Sequence, residues 1–149
     1  MSNSKITKVT KYILDVLFFV GIVVTFTLPV SMHYYGKINA LFADYYVQMV
    51  IIFFIAGAFA VLILGELRKM FKTVLQDDCF VEENVKSLNK MGLYSFAIML
   101  VMLFRLPLYF TPSVAIILVV FTIAGLFSRV LAIVFAKAVE YKQENDFTI

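Results

Sequence analysis

Val16-Leu17-Phe18-Phe19-Val20-Gly21-Ile22-Val23-Val24-Thr25-Phe26-Thr27-Leu28-Pro29-Val30-Ser31-Met32 carries no charge, and Lys5, Lys8 and Lys11 stand just before it. A bilayer core about 30 Å thick is crossed by a helix of roughly 20 apolar residues. With its flanks, from Tyr12 to His33, this stretch is long enough. The apolar run is long for a secretory leader, and no small-x-small cleavage site follows Pro29, so it reads as a retained first membrane helix. Three more windows of the same kind follow, at approximately 45–67, 91–109 and 113–136. Hydrophobic residues make up 62% of the 149 and charged ones only 15%; soluble domains hold roughly half and a quarter. The expected fold is all-α: a single integral membrane domain over residues 1–149, a four-helix bundle of two helical hairpins joined by a loop at 68–90 and ending in a tail at 137–149.

Basic residues near helix ends stay on the cytoplasmic side. Lys5, Lys8 and Lys11, then Arg68, Lys69, Lys72, Lys86 and Lys90, then Lys137 and Lys142 all fall on one side, with Lys37 and Arg105 on the other. Both termini and the central loop are therefore expected in the cytoplasm, in a multi-pass protein of the cell membrane. Tyr34, Tyr35, Tyr45, Tyr46 and Tyr109 would form an outer interfacial belt.

Within lipid, small residues mark close helix contacts. Ala124, Ser128, Ala132 and Ala136 form such a stripe on the fourth segment, with Ala56 and Ala60 of the second as a candidate facing surface and a homodimer seam as the alternative. Ile55-Ala56-Gly57-Ala58-Phe59 echoes Ile123-Ala124-Gly125-Leu126-Phe127, a weak sign of duplicated hairpins. Pro29 and Pro107 are expected to end or bend the outer ends of their helices.

Ionisable groups inside apolar segments mark pairing or function. Asp15, Glu66 and Arg129 reach one inner depth, so Arg129 is expected to pair with Asp15 or Glu66; the functional alternative is a polar pocket for an anion or a proton relay. Arg105 is placed near the outer surface, free to snorkel. On the cytoplasmic side, Leu67, Met70, Phe71 and Val74 repeat at helical spacing and carry the second helix past the bilayer. Asp78 is a candidate cap for a helix with Glu82 and Glu83 in its first turn and Val81, Val85 and Leu88 on its apolar face. The fourth helix continues as far as Glu144-Asn145-Asp146 and Phe147-Thr148-Ile149.

Phe80, Asn84 and Leu88 before the third segment, and Glu144-Asn145-Asp146-Phe147-Thr148-Ile149 after a helix bearing Val130, Leu131, Phe135 and Lys137, resemble the bacterial membrane proteins grouped as the DUF family numbered 2975. The resemblance spans most of the chain. Its usual loop reads Gly-x-Pro-Phe before the Asn, where this chain has Asp78-Cys79-Phe80. It implies a four-helix membrane protein, often encoded beside a small helix-turn-helix regulator. It also implies that the cytoplasmic face holds such a regulator, with Phe80, Asn84, Leu88, Glu144, Asn145 and Asp146 as candidates for contact or for clasping the contact platform.

His33 and Cys79, the only histidine and cysteine, fall on opposite sides of the membrane, and no metal-ligand spacing, phosphate loop or nucleophile motif occurs. No catalytic, metal or cofactor site is expected, nor direct nucleic-acid binding, since topology and anionic lipid account for the basic residues. The alternatives to regulator binding are a small dimeric transporter or channel-like protein built around Asp15, Glu66 and Arg129, and a structural partner of another membrane protein.

Overall fold

The computed structural model describes residues 2–38, 40–105 and 112–148, without the side chains of residues 2–4, 41, 42 and 146–148. There are four long helices, α1 (Ser2–Gly36), α3 (Tyr46–Leu75), α4 (Glu82–Arg105) and α5 (Pro112–Thr148), with a short helix α2 (Ala40–Asp44) between α1 and α3 and a turn between α3 and α4. Each long helix has a window apolar and long enough to cross a membrane. The all-α four-helix bundle read from hydropathy is the observed fold.

The helices outrun the expected windows at the basic end. α1 takes in Lys5, Lys8 and Lys11, and its 35 residues span about 52 Å. The 68–90 connection is mostly helix, leaving only residues 76–81 as a turn between α3 and α4. Nothing in the apolar periodicity marked α2. Pro29 does not end α1, which continues about two turns to Gly36. Its ring removes one backbone donor, and its own carbonyl accepts the Tyr46 hydroxyl at 2.8 Å, fixing the start of α3 against α1. Pro107 and Tyr109 lie outside the described residues.

The long helices pack in sequence order: α1 on α3, α3 on α4 and α4 on α5. Among the described residues, no Cα of α1 comes within 8 Å of α4 or α5. Glycines set the close approaches. A Cβ on Gly57 would stand 2.9 Å from the Thr25 hydroxyl of α1, and one on Gly125 2.8 Å from the Phe96 ring of α4. The echoed glycines thus do the same work, each admitting the preceding helix of its own hairpin. Ser128 and Ala132 are buried in the seam with α4, while Ala136 is exposed. The small-residue stripe therefore serves α4 and not Ala56 and Ala60 of α3, because α5 and α3 are not backbone neighbours. Two apolar clusters fill the bundle, one around Ile52, Ala56, Ile98 and Met102, the other around Leu88, Met91 and Ala132.

Arg105 does not snorkel. It is only 3% exposed, with its guanidinium carbon 4.8 Å from the centre of the Phe53 ring, because the last turn of α4 presents it to α3. An aromatic face attracts a cation most strongly where water is excluded.

α3 ends in a Schellman closure: the Asp78 amide donates to the Thr73 carbonyl at 3.0 Å and the Asp77 amide to Val74 at 3.1 Å. This puts Asp77 at φ 55°, a left-handed position where glycine is usual. The Gly-x-Pro-Phe turn, set with its Phe on Phe80, has glycine here. Asp77→Gly should raise stability by about 0.5–1 kcal/mol, read as a higher melting midpoint in detergent; an unchanged or lower midpoint would show that the aspartate carries no strain.

Candidate functional site

The N-terminal half of α1, the end of α3, the 76–81 turn, the start of α4 and the end of α5 meet at one end of the bundle. Asn84 is its organising residue. It is 2% exposed, and its side-chain amide donates to the Cys79 carbonyl at 2.6 Å and to the Thr73 hydroxyl at 2.7 Å. The Thr73 hydroxyl in turn donates to the Met70 carbonyl at 2.6 Å. One side chain on α4 thus fastens the turn to the last turns of α3. A buried amide without partners is costly, so the position selects a residue with two N–H donors.

Asp78 does not cap α4. Its backbone amide closes α3, and its carboxylate accepts a bond from Lys142, tying the far end of α5 to the turn. The amides of Asn84 and Val85 turn instead to the Val81 carbonyl. Glu82 and Glu83 stand in the first turn of α4, where the helix dipole favours carboxylates. Phe80 sets its ring edge-on to Phe135 of α5, 5.2 Å between centres, and remains 44% exposed.

Of the residues singled out as contacts, Leu88 is 3% exposed and belongs to the core with Met91 and Ala132, so it offers no surface to a partner. Asn84 is likewise committed inward. Glu144 and Asn145 are exposed on the last turns of α5. The side chain of Asp146, like Phe147-Thr148-Ile149, lies outside the described residues. A cleft of about 500 Å³ is bordered by Thr73, Gln76, Asp78, Val81, Glu82, Glu83 and Lys86. A second, of about 280 Å³, runs between α4 and α5 beside Glu82, Val85, Val139, Glu140 and Gln143. Carboxylates border both.

The three intramembrane ionisable groups do not form one layer. Asp15 accepts the Arg68 Nε at 2.6 Å and has Lys11 at 3.6 Å. Glu66 is buried against α4, accepts the Ser87 hydroxyl at 2.8 Å and has Lys69 at 3.6 Å. Arg129 donates to the Asn89 side chain at 2.7 Å. The expected Arg129 pair with Asp15 or Glu66 gives way because α5 packs on α4 and α1 on α3, which puts a nearer partner beside each group. Sequence reading missed Arg68, Ser87, Asn89, Thr73 and Lys142. Arg68 alone had a signal, as a cation one turn before Lys72 at the depth of Asp15. Among the described residues, no three His, Cys, Asp or Glu side chains gather as a metal site.

Comparison with curated proteins finds no match, and neither does comparison with solved structures. Residues 30–149 match a family described as "Protein of unknown function (DUF2975)". Four apolar helices and a family match covering most of its length make this chain a multi-pass membrane protein of the DUF2975 family.

Proposed function

We propose that this protein holds a helix-turn-helix transcription regulator at the cytoplasmic face of the cell membrane, through a non-enzymatic docking platform made by the 76–81 turn, the start of α4 and the end of α5. The observation that supports this reading is the Asn84 clasp. A connection of a few residues needs no buried two-donor amide merely to join two membrane helices, yet here it is fixed to α3 through Thr73 and to α5 through the Lys142–Asp78 contact. The result is a preformed surface, which saves a partner the entropy of ordering it. Its borders carry Asp78, Glu82, Glu83 and Glu140, in a chain whose net charge is +3. Carboxylates there complement the basic surface that a DNA-binding protein needs for phosphate contacts. A partner held on those groups is kept from DNA by the same charges that would bind it.

Transport around Asp15, Glu66 and Arg129 has no comparable support, since the three side chains have separate partners on separate seams.

With Leu88 buried, the residues open to a partner are those on the rim. A photoreactive residue at Glu83 or at Gln143, activated in native membranes, should capture a helix-turn-helix protein identified by mass spectrometry. Adducts formed only with lipid, membrane proteins or a second copy of this chain would overturn the reading.

A further inference from the structure

We propose that the inner end of the α1–α3 seam binds the phosphate of an anionic phospholipid. The register of the two antiparallel helices is fixed at successive levels. Gly57 lies against Thr25, Val61 against Gly21, Gly65 against Phe18, and Arg68 is bonded to Asp15. Continued by one turn, this register sets Lys72 level with Lys11, and by a second turn sets Lys8 beside the end of α3. Lys8 and Lys72 are exposed, and Lys11 and Arg68 are partly so. Four cations therefore line one seam around a single carboxylate, Asp15, an excess equal to the net charge of +3 carried by the whole chain.

Membrane topology explains why these cations lie on one side of the bilayer, but not why they converge. At the same end of the second hairpin the lysines are interspersed with acids: Lys142 meets Asp78, and Glu82, Glu83 and Glu140 border the clefts there. The first hairpin has no such balance. Glu66, the other carboxylate nearby, faces Ser87 on α4. Depth also fits. From Asp15 to Lys8 is about 10 Å along α1, enough to cross the headgroup layer of a leaflet, about 5–7 Å. Just above it the Arg68 guanidinium lies 4.5 Å from the Phe18 ring centre and 5.3 Å from that of Phe19, on the apolar side of the boundary. Asp15 engages Arg68 through Nε, and the remaining N–H groups of a guanidinium suit a phosphate oxygen. Acyl chains would then run along the apolar face of α1, where Val16, Phe19, Val20 and Val23 are exposed.

The test uses the full chain in phosphatidylcholine vesicles with a trace of spin-labelled phosphatidylglycerol, the immobilised lipid fraction being read by electron paramagnetic resonance against spin-labelled phosphatidylcholine. The wild-type chain should prefer phosphatidylglycerol. Replacing Lys8, Lys11 and Lys72 together with glutamine should lower that preference by about fivefold per lysine, down to the phosphatidylcholine level. The single Lys72→Glu change, on an exposed site far from the core, should weaken it as well. Changing Lys86, Lys90 and Lys137 to glutamine should leave it intact. Equal losses in the two triple variants would assign the effect to diffuse surface charge and overturn the site. Displacement of the labelled lipid by millimolar inorganic phosphate at constant ionic strength would make a free anion the ligand and overturn the lipid assignment.

Discussion

Replacing Asn84 with alanine should lower stability by about 2–4 kcal/mol and open the 76–81 turn to protease. The change removes both donors of one amide at once. The Cys79 carbonyl and the Thr73 hydroxyl, both part-buried, lose bonds of 2.6 and 2.7 Å, and the truncated side chain of a residue only 2% exposed leaves a hole beside them. Asn84→Asp is the sharper variant, because shape is kept while the ionised carboxylate donates nothing and sets negative oxygen against the Cys79 carbonyl. Both should show a lower melting midpoint in detergent and faster cleavage within residues 76–81, with membrane insertion unchanged. If the platform holds a regulator, the same variants should alter that regulator's transcriptional output. Full protease resistance in Asn84→Ala would show that the turn is held by something other than the clasp.

Gly92→Val should separate α4 from α5 at a loss of about 1–3 kcal/mol from overpacking. A Cβ at Gly92 would stand 3.3 Å from the Gly125 carbonyl oxygen, a backbone atom that cannot rotate away, and 3.2 Å from the Cγ of Arg129. Alanine needs a shift of tenths of an ångström. Valine adds two methyl groups between these neighbours and displaces the Arg129 stem, taking the 2.7 Å bond to Asn89 with it. Gly65→Ala is the control, since a Cβ there meets only the Phe18 ring edge at ordinary contact distance, 3.4 Å. Melting midpoints should fall steeply for Gly92→Val and little for Gly65→Ala; equal midpoints would mean that the α4–α5 approach tolerates side chains.

The four helices, their pairing into hairpins and the shared basic end were legible in hydropathy and charge asymmetry, because lipid leaves the backbone few other solutions. The neighbours of each polar group were not. Depth along a helix can be counted at a fixed rise per residue, and that count alone grouped Asp15, Glu66 and Arg129. Azimuth and packing order cannot be counted that way, and these assigned Asp15 to Arg68, Glu66 to Ser87 and Arg129 to Asn89. Leu88 shows a conflict already visible in the chain: its spacing from Val81 and Val85 pointed to the core, the resemblance suggested contact, and the spacing matched its burial. Asn84 falls on the face of Val81, Val85 and Leu88, where a polar side chain carries no apolar signal. Its role depends on a turn in which an aspartate adopts a glycine-like angle, which no pattern of apolar residues records. Arg105 was misplaced for a related reason, since proximity to a helix end suggested water and the facing Phe53 could not be foreseen.

The neighbour-by-neighbour order of the long helices also bears on how the chain is made. A ribosome delivers α1 first, and the arrival of α3 closes that hairpin through Arg68 and Asp15 before any later segment exists. For its backbone neighbour α4 then needs only α3, and α5 only α4. Contacts of short sequence separation form fastest, so each helix leaving the insertion machinery finds its backbone partner already in the bilayer. No stage of synthesis has to wait for the other end of the chain, and a polypeptide released after Leu75 would already hold Asp15 paired with Arg68.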